Sequence, residues 1–471
     1  MVFSSLIFTF IFLPVVLTLY YLAKDKYKNY ILLFASLYFY SYGEPKFVFV
    51  MLGSIICNYL MALIIDKFQG TKFSTVLLLL DVVINIGILF VYKYLDFSIS
   101  VVNIIFKTNL HILGIALPIG ISFFTFQALS YVIDVYKGNV KVQKNPLFVA
   151  LYISFFPQLI AGPIVRYSTI EDQIAQRKCT MEGFGQGGKR FLLGFSKKVI
   201  LANNLSIIAS EIFEMDATTA NPVLLWVGSI CFSLQILYDF SGYSDMAIGL
   251  GQLFGFKFLE NFDYPYISKS ITEFWRRWHM SLGQWFRDYV YIPLGGSKVS
   301  IPRHILNMFI VWLLTGIWHG ANYTFIIWGL GYFILLVVEK YIIKPENHSR
   351  FFSSVIWRIV TLLAVNFGWI IFNSTSWKDA IKYCLAMLGH YNISPGIDAE
   401  LIRSLREYGF FIIVGMLFST PIIKRLEQKL DSSKISYVFA IVGPIIYGLI
   451  FLWAVSFILL GAHNPFIYFN F

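Results

Sequence analysis

The stretch MFIVWLLTGIWHGANYTFIIWGL, Met308 to Leu330, sets two apolar runs on either side of His319-Gly320-Ala321-Asn322. Across it the only side chain that titrates near neutral pH is His319, between Trp318 and Gly320. A titratable group in hydrocarbon costs a few kcal/mol, so it faces a cavity or a partner and is a functional candidate by default. His319 is therefore the first residue to explain.

The rest of the chain has the same character. Its 471 residues are 58% hydrophobic with a mean hydropathy of +0.69, more apolar surface than a soluble domain can bury. This composition reads as an all-α polytopic membrane protein. The net charge of +11 comes from Lys and Arg in short loops between apolar spans, as membrane topology requires, and not from a nucleic-acid surface. Cys57, Cys179, Cys231 and Cys384 are widely spaced without a CxxC pair, so neither a disulfide framework nor a metal site is predicted. The opening Met-Val-Phe-Ser-Ser runs straight into Leu6 to Tyr21 without a basic region or a small-residue cleavage site before Lys24, which predicts a first membrane helix and not a removed signal.

Stretches long enough to cross, or nearly cross, a bilayer fall at Phe3 to Leu22, Tyr30 to Tyr42, Phe47 to Ile65, Val76 to Tyr94, Leu113 to Val135 and Val199 to Ile212. Others lie at Pro222 to Tyr238, His304 to Trp318, Tyr323 to Val338, Val355 to Phe372, Phe410 to Ile423 and Ile435 to Leu460. About ten to twelve membrane elements follow. Leu147 to Val165 contains Phe-Phe-Pro-Gln-Leu-Ile-Ala-Gly-Pro between two basic segments and reads as a re-entrant or broken helix. Lys24, Lys26 and Lys28, then Lys67 and Lys72, then Lys137, Lys141 and Lys144 occupy alternate loops, which places those loops in the cytoplasm and both termini outside. Pro118, Gly120, Pro157, Gly162, Pro163, Gly242, Gly249 and Gly251 interrupt the apolar stretches, as expected where backbone lines a cavity. With no repeat and no long linker, residues 1–471 read as one integral membrane domain.

Two polar segments stand out. NFDYPYISKSITEFWRRWHMSLGQWFRDYVYIPLGG, Asn261 to Gly296, reads as an amphipathic helix, with Ser270 and Glu273 as a capping box and Pro293 with Gly295-Gly296 as the stop. At helical spacing Trp275, Trp278, Leu282, Trp285 and Tyr289 form one stripe, Arg276, Arg277, Gln284 and Arg287 lie largely opposite, and His279 falls at the edge. Such a helix either lies at the membrane interface or forms a cationic mouth for an anionic donor. The second segment, DFSGYSDMAIGLGQLFGF from Asp239 to Phe256, offers Asp239 and Asp245 as caps of broken helices lining a cavity; no nucleophile elbow surrounds its serines.

Together WHGANYTFIIWG at Trp318 to Gly329, FWRRWHMSLGQWFRDYVYIPLGG, DFSGYSDMAIGLG, LPIGISFFTFQALSYVIDVYKG at Leu117 to Gly138, the opening MVFSS and the closing NPFIYFNF carry a resemblance. In this order they resemble the membrane-bound O-acyltransferase family, and within it the branch that O-acetylates alginate. That resemblance implies a bundle of membrane helices with re-entrant elements around a funnel or tunnel. It implies acyl transfer from a cytoplasmic thioester, with acetyl-CoA as donor substrate and no bound cofactor or metal, toward a polysaccharide hydroxyl outside. The family's signature histidine falls on His319 and its second histidine on His279. Partners implied are the lipid bilayer, the polysaccharide acceptor and an extracytoplasmic SGNH-type acetyltransferase, with no nucleic acid.

The chemistry agrees. A hydroxyl attacking a thioester needs a base poised near neutral pH, and an unperturbed imidazole at about 6.5 is suitable. His319 is the expected base, with His279 supporting or positioning substrate. Asn322, Trp318 or the backbone at Gly320 are the expected oxyanion donors, and Arg276, Arg277 and Arg287 the expected donor contacts. Two other functions stay open: D-alanyl transfer to teichoic acid from a carrier thioester, and a channel or flippase using the histidine for proton coupling.

Overall fold

The computed structural model describes residues 1–160, 162–344, 351–391, 396, 398–431 and 436–461, and all regular structure among them is helical. Among the described residues eight helices are long and apolar enough to cross a membrane, with shorter apolar helices at Phe8–Leu22, Leu95–Phe106 and Ile121–Tyr136. The expected ten to twelve elements counted such short pieces. NPFIYFNF at 464–471 lies outside the described residues. The chain divides into two compact units, Met1–Phe191 with Met246–Leu259, and Leu192–Asp245 with Glu260–Phe471.

In the first unit the span expected from Leu113 begins only at Ile121. Gly120 sets this start. Its φ is +76°, and a Cβ there would stand 2.7 Å from the Leu159 carbonyl oxygen. The expected broken helix is present: Pro146–Ser154 ends, Phe155 takes an extended ψ of 110°, and Phe156–Leu159 restarts. The amide freed at the break, that of Phe156, donates to Ser36 Oγ at 3.1 Å. Buried irregular backbone survives only where such partners exist.

The second unit corrects two readings. Pro222–Leu253 is one unbroken helix, so Asp239 and Asp245 lie mid-helix and cap nothing. Gly242 explains their surroundings, because a Cβ there would stand 2.8 Å from the Gly194 carbonyl oxygen, which brings Lys197 and Lys198 against this helix. Asn261 to Gly296, expected as a single helix, folds as α1 (Ile271–Arg277) and α2 (Met280–Phe286), the latter running on as a π-turn to Tyr291. Of the aromatic stripe, Trp278, Leu282 and Trp285 are buried in protein, while Trp275 and Tyr289 are half-buried.

Next come α3 (Ile301–His319), α4 (Tyr323–Val338), α5 (Phe351–Asn373) and α6 (Trp377–Met387). The α3–α4 hairpin is tight because glycines face carbonyls at its crossing: a Cβ on Gly316 would meet Phe325 O at 2.6 Å, and one on Gly329 would meet Trp312 O at 2.5 Å. Small residues at this spacing let membrane helices approach closely. The hairpin ends at His319.

Candidate active site

His319 closes α3, and Gly320 follows in extended backbone, close against the Phe325 ring. The imidazole is half-buried. Three rings bracket it: Trp318 at 5.0 Å, Trp328 at 5.0 Å and Phe372 of α5 at 5.2 Å between centroids, each nearly perpendicular to it. Edge contacts of this kind fix a ring's orientation.

Asn322 starts the second helix of the hairpin. Its Oδ1 accepts from Thr324 N at 3.1 Å, the ordinary N-cap contact, while its Nδ2 donates to Thr375 O at 3.2 Å, just beyond α5. Both ends of the carboxamide thus hold backbone, and Asn322 ties the hairpin to α5.

His279 reaches the same place by another route. It sits between α1 and α2 with φ +44°, a left-handed conformation uncommon for a residue with a side chain. Asn261 holds the break open: its carbonyl accepts from Met280 N at 2.9 Å, and its Oδ1 accepts from Ser281 N at 3.1 Å and Ser281 Oγ at 2.9 Å. His279 Nδ1 lies 3.3 Å from the same oxygen. The ring is 4% exposed, and burial pushes its pKa down to about 3, so it is neutral at physiological pH. The Trp318 ring stands next to both imidazoles, 6.1 Å from His279 and 5.0 Å from His319. The two histidines predicted from sequence are brought to one tryptophan.

α1 is capped as its sequence predicts, Ser270 Oγ accepting from Glu273 N at 3.0 Å. A second cap comes from the end of the hairpin's outgoing helix. Buried Glu339 accepts from Ile271 N at 2.6 Å and Thr272 N at 2.9 Å, which clips α1 to that helix. No spacing in the sequence announces this contact, nor the one through Asn261.

The arginines diverge. Arg277 pairs with Asp263 at 2.7 Å and Glu273 at 3.0 Å, and Arg287 with Asp288 at 2.8 Å. Arg276 is exposed, with no ion pair to a carboxylate among the described residues. Asp239 forms a buried ion pair with Lys198 at 2.6 Å, and Lys198 also donates to Asn203 at 2.9 Å. Asp245 pairs with Lys197 at 2.7 Å. Both acids pair with neighbouring lysines, and their helix also reaches His279, through the Phe240 ring at 6.4 Å and through Ser244 Oγ, which accepts from Asn261 Nδ2 at 3.0 Å.

The arrangement suits base catalysis: a half-buried imidazole with fixed orientation, beside a second, neutral one. Residues 34–377 match the model of the membrane-bound O-acyltransferase family. The protein named "Probable alginate O-acetylase AlgI" of Pseudomonas aeruginosa is 42% identical over 392 residues, covering 82% of this chain and 75% of its own. Its namesake from Azotobacter vinelandii is 37% identical over 504 aligned residues, covering all of both chains. The peptidoglycan O-acetyltransferase of Helicobacter pylori is 32% identical over 519 aligned residues, covering all of this chain and 98% of its own. A family match over most of the length, with relatives matched end to end, settles the class: this polytopic membrane protein belongs to the membrane-bound O-acyltransferase family and is an O-acyltransferase.

Proposed function

We propose that the chain takes an acetyl group from acetyl-CoA on the cytoplasmic side and delivers it toward hydroxyls of an exported or cell-wall polysaccharide, with both chain termini outside. The relatives named for alginate and peptidoglycan acetylation support the acceptor class. One observation carries the role of His319: it is the half-buried imidazole at the tip of the glycine-packed hairpin, held edge-on by three rings.

In the proposed step His319 takes the proton of the attacking hydroxyl as oxygen bonds to the acyl carbon. Collapse breaks the C–S bond, and the imidazolium returns the proton to the departing sulfur. His279, neutral and anchored on Asn261, positions the neighbouring Trp318 and the substrate. Arg276 attracts the donor's phosphates. Where an extracytoplasmic SGNH-type protein supplies the attacking hydroxyl, it carries the acetyl on to the polymer in a second ester exchange.

Radiolabelled acetyl-CoA supplied to the purified protein with candidate glycans tests this. Label appearing in glycan, or in an added SGNH-type partner, supports it. Transfer only from a D-alanyl carrier thioester would replace the donor. Glycan passage without acyl transfer would replace the reaction.

A further inference from the structure

Three hydrogen-bond donors of one aromatic cluster, of which Trp328 touches His319, lie buried without a partner among the described residues: Trp328 Nε1, Trp275 Nε1 and Tyr332 Oη. Trp328 and Tyr332 are each 2% exposed. Their rings form a triangle, with centroids 5.5 Å apart for Trp275–Trp328, 4.9 Å for Trp275–Tyr332 and 5.2 Å for Trp328–Tyr332. Trp328 is also a ring that brackets His319, at 5.0 Å. Two of the donors share a face of α4, at i and i+4, and the third comes from α1.

A buried donor left unpaired costs about 1–3 kcal/mol, and each such group in a native protein needs an explanation. Three on rings in mutual contact, one of which lies against the candidate base, share one: they await acceptor atoms that arrive with a ligand. The ligand must be rich in carbonyl oxygens and must fit among aromatic rings. Neither charged nor sugar-like groups suit this place, since the cluster offers N–H and O–H donors and no acceptor that a sugar hydroxyl would need beyond the single tyrosine oxygen. An acyl thioester on an amide-bearing arm suits it well. Asn322, the other side-chain amide near His319, already holds backbone at both ends.

We infer that this triad is the acyl-donor carbonyl site. The Trp328 N–H donates to the thioester carbonyl oxygen, and Tyr332 and Trp275 take the next acceptor along the arm. As the acceptor hydroxyl attacks, the carbonyl π pair moves onto that oxygen, where the same N–H holds it. The pair returns as the C–S bond breaks, and the thiolate takes the proton from the His319 imidazolium. Trp328 would then be a catalytic residue in its own right. The inference rests on the proposed CoA-thioester donor.

The test uses the full chain in nanodiscs and two unreactive CoA analogues. Acetonyl-dethio-CoA keeps the carbonyl but has no thioester bond, and S-ethyl-CoA lacks the carbonyl oxygen. The unsubstituted chain should bind the first about tenfold more tightly, as expected for one buried hydrogen bond of about 1.4 kcal/mol. Trp328→Phe should erase that preference, leave S-ethyl-CoA binding within about twofold, and lower kcat about 100-fold. Tyr332→Phe should weaken both analogues alike without lowering the thermal midpoint, because it removes a hydroxyl that holds nothing in the resting protein. A Trp328→Phe chain that still prefers the carbonyl analogue overturns the inference while leaving the CoA donor standing. If neither analogue binds the unsubstituted chain, the CoA donor itself is wrong and the inference falls with it.

Discussion

Replacing Gly329 by Ala adds one methyl group at the crossing that sets His319. The new Cβ would lie 2.5 Å from the Trp312 carbonyl oxygen and 3.1 Å from Gly316 Cα, both backbone atoms of the facing helix. No rotamer change relieves such a clash, so α4 must move away from α3 by roughly 0.5–1 Å. Overpacking of this kind costs about 1–3 kcal/mol. The larger effect is on chemistry, since Trp328 immediately precedes Gly329 and its ring brackets His319. A misplacement of about 1 Å at reacting groups lowers rates by about 100-fold. Gly331→Ala is the control on the same helix, because a Cβ there meets nothing within 4 Å and Ala is the better helix former. Acyl transfer and thermal midpoint are measured for both variants in nanodiscs. Gly329→Ala should lose most of its activity and some stability, while Gly331→Ala keeps both. If the two variants behave alike, close packing of the hairpin does not position the site.

Other perturbations have expected outcomes. Asp239→Asn leaves Lys198 buried without its counter-charge and should cost about 3–5 kcal/mol, whereas replacing both by apolar residues of similar volume should recover much of it; a thermal-shift series on single and double variants decides, and additive losses would contradict the pairing. The neutral His279 makes stability acid-sensitive. Its folded pKa is lowered to about 3 while an unfolded histidine titrates near 6.5, so between these values only the unfolded chain binds the proton, and stability falls as pH drops below about 6.5. The slope is about 1.4 kcal/mol per pH unit, and it should shrink in His279→Asn relative to the unsubstituted chain; equal acid sensitivity of the two would refute it. Arg276→Gln should raise the KM for acyl donor with little change in kcat, while the same change at Arg277, held by Asp263 and Glu273, should chiefly lower stability. Unchanged donor dependence in Arg276→Gln would leave that arginine to lipid.

Much of the hairpin was legible beforehand. The apolar runs flanking His319 were placed to within a few residues of α3 and α4, because uninterrupted hydrophobicity leaves the backbone one way to satisfy itself in a bilayer. The Ser270 cap was legible because its signal is local. The break at His279 was not: no proline or glycine stands there, and the segment was read as one amphipathic helix. What stops the helix is Asn261, 18 residues away, and only tertiary structure brings the two together. Asp239 to Gly251 failed in the opposite direction. Its glycines looked like breaks, yet Gly242 and Gly249 provide close helix packing inside one continuous helix. The Lys198–Asp239 pair and the Glu339 cap share that cause, each joining residues whose relation only the packed chain establishes.

The most direct test is acyl transfer by His319→Ala in nanodiscs, with expression, membrane insertion and thermal midpoint measured on the same preparation. The account predicts that transfer is lost while the other three are retained, and that His279→Ala keeps a measurable fraction of the rate. Transfer near the unsubstituted rate in His319→Ala would contradict the account at its centre.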